Sequence, residues 1–440
     1  MDLEGFARRA LAKGEERAKA EAGMARLIAA IKGIDRARAS AIAAAVFDEV
    51  VLSNKKPRSS WLARLLSCPR SGVSMGAMGV GSRGTGDFFV HRLLAGFASG
   101  KTALGPGALD DAGAVKAGRN TIVVSVDGTH SRLSEWPFLA GFHVTRAALR
   151  DVLVKGARPV ALFTDLHLAD DGDVGKLFDF SAGIGTVSEL TGVPLVAGST
   201  LRVGGDMVIG DRMVSCVGAV GVAGRNLFAR ANVKPGDAIV MTEGAGGGTV
   251  CTAAIFSGHH DVVAKTLNIN FIRACRALAG CPGIHAMLDV TNGGLRGDAA
   301  EVCRASGVGL MLEEKQVREM VNARVLALLE EQGIDYLGVS LDSLLAFTRK
   351  PELALERLKR AGVKAAVVGK AAGKECRLLL DGRAVPLLPR FRESAYTKIK
   401  KLAGEEEPGE KSAMEARVLR AAEEARRKMR EAVKFVRKSG

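Results

Sequence analysis

The sequence predicts an α/β (α+β) protein built of two folded halves with helical extensions at both ends. Three observations carry this expectation. Between residues 87 and 390, short β-branched or apolar runs alternate with helix-patterned stretches. Turn chemistry rich in Gly and Pro separates the runs. Both ends, residues 1–70 and 404–440, are dominated by Ala, Leu, Lys, Arg and Glu. At 440 residues the chain can bury more than one core.

Taken in order, residues 1–70 read as a helical extension with few breakers before Pro57. Residues 71–87, SGVSMGAMGVGSRGTGD, read as a flexible glycine-rich segment, because so many glycines raise the entropic cost of regular structure. The first half, 87–226, contains a strand at TIVVSVDG (121–128), a helix at 138–159 ended by Gly and Pro, and strands at 160–168 and 213–224. The second half, 231–390, opens with PGD turn chemistry leading into a buried strand and a glycine loop. Strands at 307–314, 343–349 and 365–371 follow, then a hairpin about Asp381-Gly382. In the tail, 404–440, Met414, Val418, Ala422, Ala425, Met429 and Val436 recur near helical spacing. The tail helix is expected to pack on its own chain or a second copy, with a role as a partner-binding or RNA-contacting arm as the alternative.

Composition narrows the function classes. No apolar run approaches the roughly 20 residues of a membrane span, and the N-terminus lacks the apolar core of a signal peptide, so a cytoplasmic protein with no membrane role is expected. Seven cysteines form no CxxC pair, which points to buried reduced thiols rather than a zinc site. The net charge of +15 raises nucleic acid as a partner, but residues 404–440 contribute only +2, and aromatics make up only 5%. Stacking platforms for single strands are therefore scarce. An anionic small-molecule substrate explains the charge as well, and nucleic acid is not the expected partner.

Four acidic segments sit at strand ends or glycine-flanked turns: GPGALDDAGAV with Asp110 and Asp111, VSVDGTH with Asp127, AALRDVLVKGARP with Asp151, and MLDVTNGGLRGD with Asp289. Adjacent carboxylates that converge on a site need a compensating cation. Magnesium takes oxygen ligands, usually one or two carboxylates together with phosphates and water. A lone Asp-Gly is more often only a turn.

Together with GDFFVHRLL, NLFARANVKPGDAIVMTEGAGGG and AVVGKA, these segments stand in one order across residues 86–390. In that order the chain resembles the superfamily of aminoimidazole-ribonucleotide (AIR) synthetase, selenophosphate synthetase, thiamine-monophosphate kinase and the hydrogenase-maturation carbamoyl dehydratase. It is most similar to archaeal proteins described only as related to AIR or selenophosphate synthetases. The resemblance implies a PurM-like two-domain fold: an N-terminal domain that forms a shared β-barrel in a homodimer, and a C-terminal α/β domain. It implies ATP and Mg2+ in the cleft, with Asp110, Asp111, Asp127, Asp151 and Asp289 as magnesium carboxylates. Gly84 and Gly86 would belong to a mobile phosphate lid, while Gly293 and Gly294 would let the backbone approach the nucleotide. Asp151, Arg150 and His130 are the candidates for direct chemistry; His130 is either a general base or phosphate contact, or a polar residue at a turn. His143 reads as a core histidine.

The chain departs from the family pattern at three positions. Arg150 stands where an Asn is usual, Ser199 replaces the Asp of a Gly-Asp-Thr segment, and Asn292 replaces the second Asp of Asp-x-Thr-Asp-Gly-Gly. These changes remove two negative charges and add one positive, which should weaken divalent-ion binding. GAGGGT at 244–249 lacks the Lys of a P-loop. The expected function is an ATP- and magnesium-dependent enzyme that phosphorylates or activates a small metabolite. The alternative is a catalytically reduced nucleotide-binding protein with an assembly or regulatory role exerted through its helical extensions.

Overall fold

The structure is a computed structural model that describes residues 1–129, 132–224, 226–393 and 395–439. The N-terminal region folds as three helices, Leu3–Ala12, Arg17–Lys32 and Arg36–Ser53, followed by a short one, Ser60–Leu66. The sequence pattern suggested fewer interruptions; a left-handed Gly33 stops the second helix, and the Asp35 side chain caps the third. Leu3, Met24, Ile28, Val46 and Phe47 form their shared core, to which Ile209 of the first half contributes. Lys32 also reaches Asp171 at 2.7 Å, so the bundle is docked on that half rather than tethered to it.

The first half is a five-stranded sheet of β1 (Gly113–Ala117), β2 (Asn120–Gly128), β3 (Arg158–Leu168), β4 (Leu195–Arg202) and β5 (Met213–Ala223). Their order is β1-β2-β5-β3-β4, antiparallel except for β3 against β4. That parallel pair is joined through the helix Gly175–Thr191, which packs with the helix Pro137–Val154 over one face of the sheet. The opposite face is bare: Val124, Val126, Val214 and Leu201 are between 43% and 62% exposed. The helix expected to run to residue 159 stops at Val154, because Gly156 takes positive φ and Arg158 already pairs with Val222.

The second half is a seven-stranded sheet of β6 (Ala238–Thr242), β7 (Ile284–Asp289), β8 (Leu310–Glu313), β9 (Leu344–Thr348), β10 (Ala365–Ala371), β11 (Arg377–Leu380) and β12 (Arg383–Pro386). They run in the order β12-β11-β8-β10-β6-β9-β7. β9 is buried at every position, as its unbroken apolar run requires. The short turn Arg230–Asn232 joins the halves, and the apolar core of the first sheet continues into this one through Cys275, Met287 and Leu344.

The glycine-rich segment is more ordered than its composition suggested. Ser74 caps a short helix, Met75–Met78, and the helix Thr85–Ala95 begins inside the segment. Met78 is buried with Phe391 and with Met414 of the C-terminal helix, Lys411–Ser439. Farther along that helix, the Trp61 and Phe435 ring centroids are 5.3 Å apart and Arg64 pairs with Glu431 at 3.2 Å. The tail therefore packs on its own chain. Among the described residues no helix is long and apolar enough to cross a membrane.

Candidate functional site

A cavity of about 750 Å³ opens between the halves, within the usual size of small-molecule sites. All five predicted magnesium carboxylates line it. Asp127 ends β2, Asp151 lies on the last turn of the Pro137–Val154 helix, and Asp289 ends β7. Asp110 and Asp111 follow a single turn, Pro106–Ala108, and the left-handed Leu109. Opposite them, Gly247, Gly248 and Thr249 bring the N-terminus of the helix Gly248–Ser257 to the cavity. Backbone N–H groups there are unpaired within the helix, and the dipole favours an anion.

The carboxylates do not form one metal cage. Among the described residues, no three His, Cys, Asp or Glu side chains converge closely enough to hold a metal ion alone. Instead the cavity wall divides them among cations of the chain itself. Lys155, fully buried, contacts Asp110 and lies 2.9 Å from Asp111. The geometry to Asp111 Oδ2 is a charge contact rather than an aligned hydrogen bond. Arg230 also pairs with Asp111, its backbone N–H donates to Asp110 at 3.0 Å, and its guanidinium meets Glu301 at 2.9 Å. Burial alone would raise the Asp111 pKa, but Arg230 and Lys155 outweigh it and hold the carboxyl below its ordinary value. The adjacent acids are thus compensated by a lysine and an arginine of the chain itself.

Asp289 likewise meets a cation of the chain itself. The Arg150 Nε lies 3.2 Å from its Oδ2, and Arg150 also pairs with the buried Asp342, as does Arg146 one helical turn earlier. Burial nonetheless pushes the Asp289 carboxyl up to about 7, with Arg150 opposing. Asp127 and Asp151 differ from these acids. Ser125 donates to Asp151 at 2.7 Å, but among the described residues neither acid has an ion-pair partner of its own. Burial raises both, the neighbouring Asp127 pushes Asp151 up further, and Arg150 only partly offsets the rise at Asp127. Two carboxyls in this state hold a proton between them or take a cation. As a donor set they fit a hard divalent ion that completes its shell with phosphate and water.

The four glycines stand where the chain packs closely on neighbouring atoms. A Cβ on Gly84 would stand 2.3 Å from the Phe391 carbonyl oxygen, and one on Gly86 would stand 2.2 Å from that of Met78. Both glycines let the segment pack on neighbouring backbone, and it is Gly81, Arg83 and Asp87 that line the cavity. Gly293, at φ +92°, would drive a Cβ into Arg83, and Gly294 would drive one into the Leu337 carbonyl. Neither lines the cavity, whereas Thr291 and Asn292 do, with Thr249 donating to Asn292 at 2.6 Å. Ser199 pairs with Asp165 on β3, away from the cavity-lining residues, so its missing carboxylate subtracts nothing from the cavity within one chain. His130 lies outside the described residues. His143 is buried beside Thr266, and burial with Arg146 and Arg150 nearby drives its pKa well below the usual value.

Sequence reasoning missed Arg83, Arg146, Lys155, Arg230, Asp298, Glu301 and Asp342. Several of them lay inside segments already singled out: Lys155 in LVKGARP, Arg230 in NLFARANVKPGD and Asp298 in LRGDAAEV.

Two sheets joined across a charged cavity, lined by acidic strand ends and by the N-terminus of a glycine-loop helix, define an α/β protein of two folded halves. The chain belongs to the AIR synthase related family: residues 109–223 match its N-terminal domain and residues 234–379 its C-terminal domain. An uncharacterized protein of Methanocaldococcus jannaschii is 49% identical over 97% of this chain and 96% of its own length. Carbamoyl dehydratase HypE of Rhodobacter capsulatus is 30% identical over 51% of this chain and 68% of its own. A solved structure of the hydrogenase maturation protein HypE in complex with ATP shares the fold, with a TM-score of 0.52 and 21% identity, covering 64% of this chain and 89% of that one.

Proposed function

We propose that this protein binds ATP with magnesium in the cavity between its halves and uses it to phosphorylate or activate a small metabolite. The observation that carries this reading is the Asp127–Asp151 pair, half-buried in the cavity wall and, among the described residues, without an ion-pair partner of its own, in a cavity that the N-terminus of the Gly248–Ser257 helix also lines. HypE, a relative, has been solved with ATP, which supports a nucleotide as the anion.

Asp127 and Asp151 would hold the magnesium ion, which supplies charge neutralisation at the phosphates. The N–H groups at 247–249 receive a phosphate from the other side, and Arg150, fixed by Asp342, keeps a guanidinium against that loop: a Cβ on Gly247 would lie 3.8 Å from it. Phosphoryl transfer needs positioning and charge stabilisation more than covalent help, and the buried ion pairs supply a rigid frame for both. The bare face of the first sheet would take a second copy of the chain.

The test is calorimetric titration with ATP, with and without magnesium, followed by measurement of released phosphate in the same samples. Magnesium-dependent affinity that falls at least tenfold in Asp127→Asn and Asp151→Asn supports the site; equal affinity in both variants overturns it. A second reading, binding without turnover, draws on the internal cations that already neutralise most of the carboxylates. Tight binding with no phosphate release would favour it.

A further inference from the structure

Arg150 sits at a position whose geometry goes beyond ordinary ion pairing. It is buried on the last turns of its helix, with Asp289 at 3.2 Å on one side, Asp342 on another and the Phe271 ring centroid 5.4 Å away. Asp342 is itself locked: it is buried, pairs with Arg146 as well, and takes a left-handed backbone (φ +60°) that is uncommon for a residue other than glycine. An arginine fixed from two sides cannot swing away, and its guanidinium stays charged at any physiological pH. The next residue, Asp151, turns to Ser125 instead, so two consecutive residues deliver a cation and a carboxylate to different parts of one wall.

Resting on the ATP–magnesium reading, we infer that Arg150 is a built-in cation standing in for a second divalent ion, so that the site loads one metal ion per chain, on Asp127 and Asp151, and Asp289 is not a ligand. Two-metal phosphoryl-transfer sites clamp opposite sides of the transferring group with separate ions. Here the side against Asp289 and the Gly247 loop already carries a permanent positive charge. The Asn at position 292 is consistent with this, because a neutral amide bonded to Thr249 leaves that side without the further carboxylate a second ion would need.

The test counts Mn2+ ions bound per chain by electron paramagnetic resonance, using the full-length protein saturated with the non-hydrolysable ATP analogue AMPPCP and subtracting nucleotide-only controls. The expected result is one protein-dependent ion in the wild type and one, with affinity changed by less than about threefold, in Asp289→Asn. Arg150→Asn is expected to gain a second ion, and Arg150→Asn combined with Asp289→Asn to lose it again. Two ions in the wild type, or loss of the single ion in Asp289→Asn, would overturn the inference while leaving ATP–magnesium binding intact. No protein-dependent ion in the wild type would overturn the ATP–magnesium reading together with it. Should Arg150→Asn fail to fold, the wild-type count and Asp289→Asn decide the matter by themselves.

Discussion

The Lys155 ammonium lies 2.9 Å from Asp111 Oδ2 with the lysine wholly out of solvent, and it contacts Asp110 as well. A buried cation shared by two adjacent carboxylates stabilises little net, because desolvation cancels much of the attraction, yet removing one member strands the others. Lys155→Met should therefore destabilise the protein by about 3–5 kcal/mol, seen as a lowered urea midpoint. Adding Asp111→Asn should recover part of the loss. Full stability in Lys155→Met would show that Arg230 alone compensates both acids.

The approach of Gly84 to Phe391 makes a second prediction about the segment over the cavity. A Cβ at Gly84 would come within 2.3 Å of a backbone oxygen, which cannot yield as a flexible side chain does. Gly84→Ala should cost about 1–3 kcal/mol and speed proteolytic cleavage within residues 71–95. If the segment instead covered phosphates through its glycines alone, the variant would weaken nucleotide binding without altering the cleavage pattern.

The acids of the site were legible in the sequence because each lies near the end of an element or in a glycine-flanked turn, a local signal: Asp127 and Asp289 at strand ends, Asp151 in the last turn of a helix, Asp110 and Asp111 after a turn. Their cations were not. Lys155 and Arg230 look like any charge near a turn, and what defines them is a partner 45 or 119 residues away. The Arg146–Asp342 contact spans 196 residues, and only the four-residue spacing of Arg146 and Arg150 on one helix hinted at a shared target. Most strands of the second half, though not β7, were legible because buried strands such as β9 write themselves as apolar runs. The glycine segment was misread because entropy was weighed without the apolar partners, Phe391 and Met414, that offset it.

Met414, on the C-terminal helix, supports Met78 and Phe391, while farther along Arg64 and Trp61 meet Glu431 and Phe435. Truncation after residue 410 should leave both sheets folded, because none of their strands contributes to that cluster. Residues 60–95 should lose protection from hydrogen exchange by at least tenfold, while β6 and β9 stay protected. Equal loss in β9 would show that the tail is part of the main cooperative unit.

Lys400 yields the pH prediction. It lies on the short helix Lys398–Ala403 with its Nζ 4.3 Å from the Tyr396 ring centroid. Burial, and secondarily the nearby positive charge of Arg132, lower its pKa from 10.5 to about 8. The folded value lies below the unfolded one, so folding favours the neutral amine. Below about pH 8 both states carry the proton and the folded state bears the full cost of the charge; between about 8 and 10.5 the cost fades; above 10.5 it is gone. Lys400→Met should accordingly stabilise the protein at pH 7 by on the order of 1–3 kcal/mol, allowing for partial solvent screening. The gain should shrink toward zero by pH 10.5. Thermal melts of both proteins across that range check the prediction, and a gain independent of pH would mean that the methionine acts by packing, with the lysine's charge irrelevant to stability.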